Sequence, residues 1–223
     1  MCGRYTLAYE DFDFMLEYYG IHHADFSYPP RYNVAPGQHV PAVIHDGKER
    51  RIGLLKWGLV PSWAEDAKSG FKMINARAET ITTRKTFHKL IQRKRCLIPA
   101  DGFYEWKKSD DGTQPMRIVL NSRKFFSFAG LYDTWVSSTG EKLSTCTIIT
   151  TRPNELMQQI HTRMPVILDK SKEEEWVDRN FTDANHMASL LTSYPSEDMR
   201  AYPVSKIVGN VNNDVPACVE MIS

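Results

Sequence analysis

Met1-Cys2-Gly3-Arg4 holds the residues with the clearest chemistry in this sequence. A small residue at position 2 favours removal of Met1, so the expectation is a mature chain that begins at Cys2. That residue then carries an α-amine and a thiol on adjacent carbons. Unperturbed, these titrate near about 7.7–8.0 and about 8.5, and both are partly reactive at neutral pH. The amine attacks an aldehyde to give an imine, and the thiol closes on the imine to give a five-membered thiazolidine. Such closure is intramolecular and avoids the entropy of recruiting a second molecule. Gly3 keeps bulk away and Arg4 sets a fixed positive charge beside the pair. The competing reading is a thiol packed as a small hydrophobe, the usual state of a free Cys.

Three further residues are open to two readings each. Glu105 lies in the aromatic run Phe103-Tyr104-Glu105-Trp106. It is either an edge residue facing water or a partly buried acid with a raised pKa, fit for proton transfer. His161 follows an expected helix end, as a cap or packed ring or as a proton shuttle near neutral pH. Asn75 in Ile74-Asn75-Ala76-Arg77 is a turn residue or a polar contact.

The elements that must position them follow from periodicity. Cys2 to Leu7 reads as a strand anchoring the N-terminus, and Glu10 to Tyr19 as a helix ending at Gly20. Asp46-Gly47 marks a hairpin between His39–His45 and 51–60. Trp57 is expected in the core, and Trp63 beside a polar loop as a partly exposed stacking surface. Residues 83–94 read as a basic helix with a solvated face. Strands follow at 95–108, 116–120, 125–135 and 143–151, with turns at Asp111-Gly112 and Thr139-Gly140. Helices are expected at 153–160, from a Ser171–Glu174 capping box through Val177, and from Thr182 or Asp183 through Leu191. This order predicts an α+β fold, a single domain over residues 1–223. Its core is mostly antiparallel and barrel-like, with peripheral helices.

Composition narrows the classes. The 223 residues carry 42% apolar and 25% charged side chains, ordinary for a globular chain. With a formal net charge of +1, nucleic-acid affinity must come from a local groove. Cys2, Cys96, Cys146 and Cys218 show no metal-ligand spacing, so neither a metal, a cofactor nor a disulfide framework is expected. No signal peptide and no membrane span are expected, which predicts a cytoplasmic location, nucleoid-associated, or nuclear in a eukaryote. Nothing demands a multimer, and a monomer is expected.

Seven blocks occur in order: Met1-Cys2-Gly3-Arg4, Tyr32-Asn33-Val34-Ala35-Pro36, Trp57-Gly58-Leu59-Val60-Pro61, 74–80 (INARAET), 98–106 (IPADGFYEW), 160–165 (IHTRMP) and Val208-Gly209-Asn210. Together they resemble the SOS response-associated peptidase (SRAP) family, the abasic-site processing proteins. The resemblance implies a protein of the DNA damage response that binds single-stranded DNA containing an abasic site. It implies a covalent thiazolidine crosslink from Cys2 to the sugar aldehyde, shielding the lesion. The family's asparagine, glutamate and histidine map onto Asn75, Glu105 and His161. The family name also implies hydrolase chemistry in removing Met1, and the imine stage implies an AP-lyase-like side activity.

The chemistry of the residues agrees with that resemblance. Asn75 offers a donor and an acceptor to the opened sugar. Glu105 suits protonation of the ring oxygen and loss of water, and His161 suits proton shuttling. Arg4, Arg77 and Arg163 each lie within two residues of Cys2, Asn75 and His161, as guanidinium partners for phosphates. Gly3, Thr150 and Trp106 complete the expected groove, Thr150 for a phosphate and Trp106 for stacking. The replication machinery is a possible delivering partner. Two rivals stand beside this reading: a thiol (auto)peptidase using Cys2, His161 and Glu105, and a DNA-binding module without chemistry.

Overall fold

Aspartate caps and left-handed glycines punctuate this chain into many short elements. A computed structural model describes residues 2–110 and 112–222. Met1, with the trimming expectation, and Asp111 of the expected turn lie outside the described residues. In chain order the elements are β1 (Tyr5–Leu7), α1 (Phe12–Tyr18), β2 (Arg31–Val34), β3 (His39–His45), β4 (Arg50–Trp57), β5 (Asn75–Arg77), α2 (Lys85–Arg93), β6 (Arg95–Ala100), β7 (Gly102–Ser109), β8 (Gly112–Leu120), β9 (Phe126–Val136), β10 (Lys142–Thr151), α3 (Glu155–Gln158), β11 (Met164–Pro165), β12 (Ile167–Leu168), α4 (Lys170–Val177), α5 (Ala184–Ser189) and β13 (Met199–Pro203).

The strands form two sheets. One is open, in the order β13-β8-β7-β1-β2. The other runs β10-β4-β3-β6-β9 and closes through β9–β10 pairing, so these five strands form a barrel. Most pairs are antiparallel, and β10 with β4 and with β5 are the parallel ones. The expected α+β fold with a barrel-like, mostly antiparallel core is thus observed.

β10 governs the placement of the site. Its first half pairs with β9 on one edge and β4 on the other: Thr145 faces both Asp133 and Lys56. Its second half exchanges both partners. Thr150 there faces Arg77 of β5 and Pro165 of β11. Two distant segments therefore meet at the C-terminal end of one strand.

The link from β4 to β5 is fixed by a close backbone crossing. Gly58 has φ +130°, and a Cβ on it would stand 2.8 Å from the Gly70 carbonyl oxygen. Trp57 is buried as expected, and its indole N–H donates to Ile74 O at 2.9 Å, one residue before Asn75. Its ring also packs on Tyr5, with centroids 5.5 Å apart, which ties the barrel to β1.

Element ends differ from expectation where capping decides them. Asp11 accepts from Phe14 N and starts α1 two residues later than periodicity suggests. α4 begins at Lys170 behind Asp169, not at a Ser171 capping box. That start places Glu173, Trp176 and Val177 on the buried face and leaves Ser171 exposed. α3 is shorter than 153–160, because Asn154 caps it by accepting from Met157 N. Asp183, one of the two expected caps, starts α5. In α2, Phe87, Leu90 and Ile91 are buried while Arg84, Lys85, Lys89 and Arg93 face solvent, as a solvated basic face requires.

Candidate functional site

The site forms where the open sheet meets the barrel. β1 pairs with β7 as Tyr5 to Phe103, and Tyr104 N donates to Arg4 O at 3.0 Å. This ladder draws the Cys2–Gly3 segment alongside Glu105. Cys2 is 0% exposed. Burial pushes its thiol well above the ordinary range, and the negative charge of Glu105 pushes the same way. The expectation of a partly ionised thiol at neutral pH is thereby corrected: as placed here the sulfur is protonated.

Glu105 is 3% exposed, which decides between its two readings in favour of the buried acid. Burial pushes its carboxyl up to about 7. Its Oε2 lies 3.9 Å from His161 Nε2. His161 leaves the end of α3 through its own N–H to Met157 O at 2.8 Å. Its Nδ1 lies 3.0 Å from Arg163 N and 3.3 Å from Arg163 O, and the shorter contact, accepted from the N–H, calls for a neutral ring with its proton on Nε2, facing Glu105. Burial lowers the His161 pKa, which favours that neutral ring.

Asn75 opens β5 beside Ile148 of β10. Its Nδ2 donates to Ile148 O at 3.4 Å, and its Oδ1 is buried with no hydrogen-bond partner among the described residues. A buried amide oxygen left unanswered is costly and suits a ligand hydroxyl.

The three arginines are not equivalent. Arg4 donates to Asn33 Oδ1 at 2.8 Å and Val208 O at 2.7 Å, and its guanidinium lies 5.7 Å from the Trp106 ring centroid. Arg163 is forked onto Glu79 and also donates to Thr150 O at 2.7 Å. Arg77 is exposed, and its side chain makes no hydrogen bond or ion pair among the described residues. Thr150 is buried, with its hydroxyl directed to Ala76 O and Arg163, so it supports Arg163 from beneath. Trp106 is half-buried and Gly3 half-buried. Trp63 is 70% exposed, more open than expected, on a loop held by Ser62 N donating to Asp133 Oδ2.

Sequence reasoning missed Asn33. It is fully buried, and its Nδ2 lies within hydrogen-bond reach of the carbonyls of Val208, Asn210 and Asn213, while its Oδ1 takes Arg4. Asp214 completes the clasp by accepting from the backbone N–H groups of Tyr32 and Asn33. Arg4, the 32–36 block and the 208–210 block are thus one hydrogen-bonded unit behind Cys2. The signal in the sequence was Asn33 inside its own block.

Chemically, the arrangement offers a nucleophilic residue, an acid poised near neutrality, an imidazole facing it and an unanswered amide oxygen. Among the described residues no cluster of His, Cys, Asp and Glu could hold a metal ion, and no helix is long and apolar enough to cross a membrane.

The family model described as SOS response associated peptidase (SRAP) matches residues 1–211. Abasic site processing protein YoqW of Bacillus subtilis is 50% identical over 223 residues, covering 99% of this chain and 99% of that one. Abasic site processing protein HMCES of Xenopus tropicalis is 31% identical over 226 residues, covering 87% of this chain and 67% of that protein. A crystal structure of a Bacteroides thetaiotaomicron protein superposes with a TM-score of 0.88 at 29% identity, covering 100% of both chains.

Proposed function

Because the chain belongs to the SOS response associated peptidase family, we propose that it captures abasic sites in single-stranded DNA through a thiazolidine made by Cys2. The observation that carries this reading is the placement of Cys2 alongside a buried carboxyl poised near pH 7, which itself faces His161.

Removal of Met1 converts the Cys2 amide nitrogen into an amine. Asn75 holds the opened sugar through its unanswered Oδ1. The amine adds to the C1′ aldehyde carbon and passes one proton to the carbonyl oxygen, which leaves as water after accepting a second proton from Glu105. The Cys2 sulfur then adds to the imine carbon, and the thiol proton passes to the imine nitrogen. One aldehyde and one aminothiol give one thiazolidine and one water. The second proton of the amine returns to the Glu105 carboxylate, beside which the neutral His161 ring stands with Nε2 3.9 Å from Oε2. Arg77 meets a phosphate beside the lesion, and Trp106 walls the lesion pocket with Arg4 against its face. A monomer suffices for these steps.

The thiol-peptidase alternative draws on the same three side chains. It calls for a depressed thiol pKa, whereas burial and Glu105 push Cys2 upward. An amine-first reaction with an aldehyde needs no thiolate at the outset, so the geometry favours capture. Incubating the purified protein with single-stranded DNA carrying one abasic site should give a heat-stable shifted species. Its mass should equal protein without Met1 plus DNA minus one water. A Cys2→Ala variant that crosslinks as fully as the parent would sink the proposal.

A further inference from the structure

We infer that Glu79 is a positioning residue for His161. It lies in the 74–80 block with Asn75 and Arg77, and the reading above gives it no task. Its Oε1 accepts from Arg163 Nη1 at 2.7 Å and its Oε2 from Arg163 Nη2 at 2.9 Å. A two-point carboxylate–guanidinium fork fixes the plane of both groups. The same Nη2 donates to Thr150 O at 2.7 Å, and Thr150 is buried in β10 between β5 and β11. Glu79 itself stands on the 3-10 turn Ala78–Thr80 that continues β5.

Arg163 is therefore clamped from two sides, and its side chain is only 15% exposed. From the backbone of that clamped residue comes the N–H that His161 Nδ1 accepts at 3.0 Å. That bond is shorter than the 3.3 Å contact of the same Nδ1 to Arg163 O, so the Arg163 backbone holds the ring and favours the tautomer with Nε2–H toward Glu105 Oε2, 3.9 Å away. The chain of contacts runs Glu79, Arg163, His161, Glu105. It joins the 74–80 block to the 160–165 block, and it gives Arg163 the work of a strut. Without Glu79 a nearly buried guanidinium loses its counter-charge, swings toward water and carries the 161–163 turn with it.

The inference rests on the aldehyde-capture reading for its consequence, but the geometry it asserts is testable in the free protein. Imidazole nitrogen NMR of His161 is compared in the parent, Glu79→Gln and Glu79→Ala. The parent should show one Nε2–H tautomer. Glu79→Ala should show tautomer averaging, and Glu79→Gln, which keeps one acceptor and the side-chain shape, should fall between. At saturating abasic-site DNA the crosslinking rate of Glu79→Ala should fall by about 10- to 100-fold, the scale of a small misplacement of a reacting group. Affinity for DNA carrying an aldehyde-free tetrahydrofuran lesion should stay unchanged. An unaltered His161 tautomer in both variants overturns the inference. So does tighter DNA binding at an unaltered rate, which would make Glu79 a mask over Arg163. A parent protein that does not crosslink at all removes the capture reading, and the tautomer comparison still decides the role of Glu79.

Discussion

Glu105 Oε2 and His161 Nε2 stand 3.9 Å apart across the junction of the open sheet and the barrel. The two residues are 56 positions apart in sequence and come from different sheets' neighbourhoods, β7 on one side and the end of α3 on the other. The separation is too long for a direct hydrogen bond. Burial acts on both in the same sense, toward the neutral form: it pushes the carboxyl up and the imidazole down.

The burial of Glu105 predicts the behaviour of Glu105→Gln. With the carboxyl pushed up to about 7, the acid form declines as pH rises through 7, and the crosslinking rate should decline with it. Glu105→Gln should slow crosslinking by about 100-fold or more, the usual size of a lost general acid, and remove that alkaline limb. The same variant should be the more stable protein above pH 7. A folded-state pKa raised above the ordinary value gives stability that is present below about 4.3 and lost as pH rises through about 7. Glutamine never pays that penalty, so the gain should approach the order of 3–4 kcal/mol at pH 8 and nearly vanish at pH 4. Melting temperatures at the two pH values, with rates measured across pH 5.5–8.5 (about the titration range of the acid), check both halves.

Cys2→Ser separates the two nucleophiles of one residue. Serine keeps the α-amine once residue 1 is removed, and its hydroxyl closes poorly on an imine. The variant should give little heat-stable product but a full-sized band when borohydride is present to reduce the imine. Absence of a borohydride-dependent band in a variant of confirmed mature mass would exclude amine-first attack.

Much of this architecture was legible in residue order, and the failures have a common cause. The Asp46-Gly47 hairpin, the buried Trp57 and the solvated basic face of α2 follow from local pattern, and the structure has them. The Ser171 box failed because the burial of Glu173, Trp176 and Val177, a tertiary requirement, set the helix phase. Spacing alone made Arg4, Arg77 and Arg163 look alike. Their partners, Asn33 with Val208 for the first and Glu79 with Thr150 for the third, lie 29 to 204 and 13 to 84 positions away, beyond any local signal. The ionisation of Cys2 was misjudged for the same reason, since desolvation is a property of the fold.

Arg77 is therefore the arginine expected to carry salt-sensitive binding. Its guanidinium is exposed and uncommitted among the described residues, one residue beyond buried Ala76 on β5. Arg77→Ala should weaken binding to single strands with and without a lesion. It should reduce the slope of log affinity against log salt by about 0.7, the share of one phosphate contact on a single strand. Arg163→Ala should leave that slope nearly intact while slowing crosslinking. Fluorescence anisotropy across a salt series distinguishes them, and an unaltered slope for Arg77→Ala removes it from the groove.

Asn33 should be a stability residue whose two sides can be told apart. Asn33→Ala strips a buried amide from Arg4 and three carbonyls at once, and a loss of about 2–4 kcal/mol is the expectation for such a network. Asn33→Asp keeps an acceptor for Arg4 but faces the carbonyls of Val208, Asn210 and Asn213 with a carboxylate instead of a donor. It should be at least as destabilised as Asn33→Ala at pH 7 and recover as pH falls and the acid protonates. Urea denaturation at pH 7 and pH 4.5 reads the difference. Equal stability of the two variants at both pH values would mean that the 208–213 loop does not depend on this amide.

Asn75 presents the opposite balance of stability and function. Its Oδ1 is buried with no hydrogen-bond partner among the described residues, and its Nδ2 makes only a long contact to Ile148 O at 3.4 Å. An unanswered buried acceptor costs about 1–3 kcal/mol, so the free protein tolerates the group at a loss. Asn75→Ala removes the acceptor together with its one weak bond. Its melting temperature should therefore equal or exceed that of the parent, unusual for truncation of an inward-facing polar side chain. Capture should suffer instead, because the opened sugar loses the group that holds it, and crosslinking at limiting DNA should fall by about 10- to 100-fold, the worth of one or two hydrogen bonds in a dry site. Thermal melting and crosslinking kinetics on the same preparation give both numbers. A variant that melts lower and crosslinks normally would assign Asn75 to the fold and remove it from the site.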